Sequence, residues 1–172
     1  MRSIYLVFSH SNTITSKIIK FFSKEKYSHV SLSLDDSCEY MYSFGRKYLY
    51  LSVIGCFNVE NIHNGLYKIH KDSTMAIYKL NVTDDQYENV IEKINNIAKS
   101  SKGYNILGLL LAKFRIRLNR NKYYCSEFVY NVLSDSCVNI LDKDKEIFKP
   151  MELSCIDGLE LLYEGKVSEY GL

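Results

Sequence analysis

The sequence predicts an α+β fold in which an antiparallel sheet packs against helices, and three features carry that reading. Strand-like segments cluster in the first half of the 172 residues and helical stripes in the second. Residues 28–34 alternate strictly, with Val30, Leu32 and Leu34 on one face and His29, Ser31 and Ser33 on the other, the period of a half-buried strand. Phe128, Val129, Val132 and Leu133 fall at i, i+1, i+4 and i+5, which is one apolar stripe on a helix.

The elements follow in order. An apolar run gives a first strand over Ser3–Ser9, and Ile14, Ile18, Phe21 and Phe22 give a helix over Thr13–Ser23. Ser28–Leu34 and Glu39–Phe44 form a hairpin around Asp35-Asp36-Ser37, and glycine-punctuated loops with short strands continue to Ile69. Met75–Val82 is a further strand. Thr83 and Gln86 make a capping box for a helix running to Ser100, with Tyr87, Val90, Ile91, Ile94 and Ile97 inward and Gly103 as its stop. Helices over Asn105–Leu118, after Cys125, and over Met151–Leu162 complete the chain. No linker or repeat divides it, and 47% hydrophobic residues suit one domain, 1–172, with a sizeable core.

Composition excludes several classes. A formal net charge of +2 without a DNA-binding motif gives no reason to invoke nucleic acid. The apolar run Ile4–Phe8 is too short for a signal-peptide core, and Ile106–Ala112 is far short of the roughly 20 residues that cross a bilayer. The expectation is a cytoplasmic chain without a transmembrane segment. Five cysteines form an odd set with no zinc-type spacing, so free thiols are expected, with Cys38, Cys56, Cys137 and Cys155 as packing residues and no metal or other cofactor. The oligomeric state is left open.

Cys125 is the candidate nucleophile. In Tyr124-Cys125-Ser126-Glu127 it stands where an extended segment becomes a helix, and the helix dipole with the free amides of the first turn favours the thiolate. His29 is the candidate base. It begins its strand beside small serines, so another element can approach that face closely. A Cys–His pair ordinarily has a third group that orients the imidazole. If Asp35-Asp36-Ser37 is a three-residue loop, Leu34 pairs with Cys38 and Ser43 lies opposite His29, with Glu39 on the same face as a second choice. A loop one residue different would present Tyr40, Tyr42 and Phe44 there instead.

These segments resemble those of the circularly permuted papain-like proteins of the NlpC/P60 superfamily, in particular the YiiX-like group. The likeness lies in YSHVSLSLD around His29, MYSFGRK from Met41, GCFNVEN from Gly55, YNILGLL from Tyr104 and YYCSEFVYNVL around Cys125. The resemblance implies a permuted papain-like domain in which the cysteine helix reaches the start of the histidine strand. It implies a thiol hydrolase, an amidase or peptidase, that cleaves an amide bond through a Cys125 thioester with His29 as base. The substrate is then a small molecule, peptide or lipid carrying an amide or ester. Tyr27, beside His29, is a candidate donor to the substrate, and Arg46, within MYSFGRK, a candidate lining residue of the cleft. Two other classes stay open: a thiol acyltransferase or lipid esterase related to lecithin:retinol acyltransferase, and a non-catalytic binding module of the same fold.

Overall fold

A computed structural model describes residues 1–11, 25–48, 51–100, 125–139 and 149–171, with the side chains of 45–48 and 51–55 left out. The expected helices over Thr13–Ser23 and Asn105–Leu118, and the Arg46 side chain, lie outside the described residues. Numbering the described elements in order gives β1 (Arg2–His10), β2 (His29–Ser33), β3 (Met41–Tyr48), β4 (Leu51–Glu60), α1 (Gly65–Ile69), β5 (Thr74–Val82), α2 (Asp84–Ser100), α3 (Cys125–Asp135) and β6 (Leu159–Lys166). The six strands form one antiparallel sheet in the order β4-β3-β2-β1-β5-β6. The architecture is α+β.

Alternation along the strands divides the sheet into two faces. Ile4, Leu6, Phe8, Val30, Leu32, Ala76 and Leu80 face α2 and α3 and join Val90, Ile94, Phe128, Val129, Val132 and Leu133 in the larger core. On the other face Val7, Met41, Met75 and Ile77 pack with Ile62, Tyr67 and Val167 in a smaller one. The α2 capping box forms as the sequence predicts: Thr83 N–H donates to Gln86 Oε1 at 2.9 Å, and Gln86 N–H to Thr83 Oγ1 at 3.1 Å. No helix among the described residues is long and apolar enough to cross a membrane.

Three expectations need correction. The C-terminal helix over Met151–Leu162 is instead a 3₁₀ segment, Pro150–Cys155, followed by β6. Gly158 at φ 84° breaks helical continuity, and Leu159–Lys166 adds the edge strand beside β5. The β2–β3 register is displaced by two residues: Ser33, expected opposite Glu39, stands opposite Met41, and Leu32 opposite Tyr42. The longer turn is held by Ser33 Oγ, which bonds the carbonyls of Asp35 and Tyr40 at 2.9 and 3.0 Å, and by Cys38 at φ 54°. Because a strand repeats every two residues, this slip leaves Ser43 on the face of His29. Finally, α3 packs on the Val30 and Leu32 face rather than the serine face, with the Phe128 ring 5.9 Å from those of Phe44 and Phe57.

Candidate active site

The packing of α3 brings its first residue to the first residue of β2. Although β2 extends back to His29 and β3 on to Tyr48, the register between them ends at Leu32 and Tyr42. The Val30 N–H is directed at the Cys125 sulfur, which also accepts the Ser126 N–H from the first turn of its own helix. Cys125 is half-buried and hydrogen-bonded to His29.

His29 has its second partner on β4. Its Nε2 lies 2.9 Å from Glu60 Oε1 and 3.2 Å from Oε2. The carboxylate is itself oriented: Ser43 Oγ donates to Oε1 at 2.7 Å and Ser31 Oγ to Oε2 at 2.9 Å. Ser31 Oγ is also 3.2 Å from Nε2. Small side chains at 31 and 43 leave the room that a carboxylate needs to cross from the end of β4. The side chains of His29 and Glu60 are only 23% and 14% exposed.

The charges reinforce one another. Burial alone would raise the Cys125 thiol, but the adjoining His29, then the Val30 and Ser126 amides, carry it below its ordinary value. Burial would lower His29, yet the Glu60 charge, followed by Cys125 and the hydrogen bonds to both, holds the imidazole well above its ordinary value. Burial would likewise raise Glu60, and His29 with the two serine hydroxyls holds it down. A thiolate and an imidazolium beside a carboxylate are the states that this combination favours.

The expected site residues whose side chains are described fall inside and outside this cluster. Cys125, His29 and Ser43 come together, Ser43 reaching Glu60 rather than the imidazole. Glu39 stands exposed in the turn before β3, where the displaced register puts it, outside the cluster. Tyr27 is 2% exposed and its hydroxyl donates to Glu164 at 2.8 Å, so it is a strut between the start of β2 and β6 rather than a donor facing a cleft. His10 ends β1 at 8% exposure with Nδ1 3.3 Å from Ser28 Oγ. Among the other thiols, Cys38 is buried, and burial followed by Asp35 and Asp36 pushes it up to about 12, whereas Cys137 and Cys155 are exposed rather than packed. Glu60 was not singled out from sequence. Its signal was its position within GCFNVEN, where an acid closes an otherwise apolar-rich strand.

No protein-family model and no curated protein matches the chain. Among solved structures, the chain is similar to one described as the metalloprotein yiiX from Escherichia coli O157:H7, DUF1105. The match has a TM-score of 0.59 at 14% identity and covers 96% of this chain and 98% of that one. The chain therefore has a YiiX-like fold.

Proposed function

We propose that this protein is a thiol hydrolase in which Cys125 attacks an amide carbonyl, His29 moves the proton and Glu60 orients and charges His29. The observation that carries the reading is the single imidazole held between a carboxylate and a sulfur that receives two backbone amides. The thiolate adds to the carbonyl carbon, and the oxyanion is held in part by the Cys125 N–H, worth about 3 kcal/mol if pre-aimed. Imidazolium returns its proton to the departing amine as the carbon–nitrogen bond breaks, leaving a thioester. Neutral His29 then takes a proton from water, hydroxide displaces the sulfur, and the acid leaves. Glu60 stays ionised throughout.

The chain order His29, Glu60, Cys125 supports the permuted papain-like reading, and one continuous sheet from residue 2 to residue 166 supports a single domain. The structural neighbour is described as a metalloprotein. In this chain Glu60 sits on Nε2 of the imidazole, and His29 is also hydrogen-bonded to Cys125. Among the described residues no group of three His, Cys, Asp or Glu side chains could hold a metal ion.

The test is reaction with a thiol-directed acyl probe across pH, comparing wild type with Cys125→Ala and His29→Ala. Both variants should lose the fast reaction, and equal labelling of wild type and Cys125→Ala would overturn the reading. Incubation of acylated enzyme with water alone or with an added amine separates hydrolysis from acyl transfer.

A further inference from the structure

The mechanism above leaves one buried hydroxyl pair unused. Tyr67, in α1, is 7% exposed, and its hydroxyl lies 2.9 Å from Ser9 Oγ, which is 2% exposed. Ser9 is the direct cross-strand partner of His29. A second line of bonding thus joins the two ends of the His29–Glu60 pair. It runs from Glu60 through the Asn61–Asn64 turn into α1, across the hydroxyl pair to Ser9, and over the β1–β2 ladder to His29.

The connecting segment is tied along its length. Asn61 Oδ1 accepts the His63 N–H at 2.7 Å, and its Nδ2 donates to the Glu39 carbonyl at 2.8 Å. A helix as short as Gly65–Ile69 has little stability of its own, so what fixes it is what Tyr67 touches. The Tyr67 ring packs in an apolar cluster with Val7, Ile62, Met75 and Ile77. A phenyl ring would fill that space equally well, and burying two hydroxyls there is costly unless they satisfy each other.

We propose that Tyr67 is a positioning residue for the reaction. Through Ser9 it locks the segment that leaves Glu60 against the strand that pairs with His29, and so keeps the carboxylate within hydrogen-bond reach of the imidazole. This rests on the reading of Cys125, His29 and Glu60 given above. The titratable groups bearing on Tyr67 are Glu60, Cys38 and Cys125. Burial first, and then the charge of Glu60, holds its phenol far above the ordinary range, so it stays protonated wherever the enzyme is folded.

The test measures alkylation of Cys125 against pH in wild type, Tyr67→Phe, Ser9→Ala and the double variant, with Ile77→Val as a stability control from the same cluster. Tyr67→Phe should move the acid limb to higher pH and slow alkylation at pH 6 about fivefold, the scale of one neutral hydrogen bond. Ser9→Ala should do the same and carries the test if Tyr67→Phe does not fold. The double variant should fall no further than either single one, since both remove one bond. A wild-type limb left in place by Tyr67→Phe, or moved equally by Ile77→Val, would overturn the inference alone. A wild type without an acid limb below the ordinary thiol range would overturn both it and the reading on which it rests.

Discussion

Replacing Glu60 with glutamine removes one charge and almost no volume, and the geometry fixes the size of the effect. The carboxylate meets His29 Nε2 at 2.9 Å with both side chains mostly buried. Coulomb attraction over about 4 Å at an effective dielectric of about 20 is roughly 4 kcal/mol, a ceiling, because both groups keep some solvent. A hydrogen bond between charged partners is worth about 1.5–3 kcal/mol net. Glu60 also repels the thiolate, but from beyond the imidazole, so its net effect favours the ion pair. Glu60→Gln should therefore cut the thiolate–imidazolium population about 10- to 100-fold at pH 6, at about 1.4 kcal/mol per factor of ten. The assay is the iodoacetamide alkylation rate of Cys125 from pH 4 to 9, read by peptide mass spectrometry because Cys137 and Cys155 are exposed and compete for the reagent. An acid limb unmoved by Glu60→Gln would refute the electrostatic argument.

Other outcomes follow from the same contacts. Ser43→Ala deletes the 2.7 Å donor to Glu60 and should move the acid limb in the same direction but less, at a cost of about 1.5 kcal/mol in urea unfolding. Phe128→Ala, at a side chain with no exposure between Phe44 and Phe57, should cost about 3–5 kcal/mol in the same measurement while leaving the limb in place in the folded fraction. Glu60, held below its ordinary 4.5, stabilises the fold above that pH and loses the contribution as pH falls through its lowered value. The urea midpoint should thus drop between pH 5 and 3 more steeply in wild type than in Glu60→Gln. His29, held above 6.5, has the opposite sign: its contribution is complete below 6.5 and is lost as pH rises through its raised value.

What sequence reading reached was local. The alternation around His29, the stripe after Cys125 and the Thr83–Gln86 box are properties of neighbouring residues, and each stands in the fold as strand, helix or cap. The β2–β3 register depended on a turn whose length is set by Ser33 bonding two carbonyls and by a left-handed Cys38, neither visible in an alternation pattern. That misplacement is why Glu39 was expected near His29. Glu60 was missed because it acts from a strand two places away in the sheet, reaching His29 over Ser31 and Ser43. The last helix failed where an edge strand was needed beside β5, a demand made by tertiary pairing and not by the apolar spacing of Met151–Leu162.

Thiolate absorbance near 240 nm, titrated with pH as the difference between wild type and Cys125→Ser, puts the question to the sulfur itself. An ionised sulfur resting against His29 predicts a signal that persists well below pH 7 and is lost from that range in His29→Ala. Absorbance that develops only near pH 9, the same with or without His29, would contradict it.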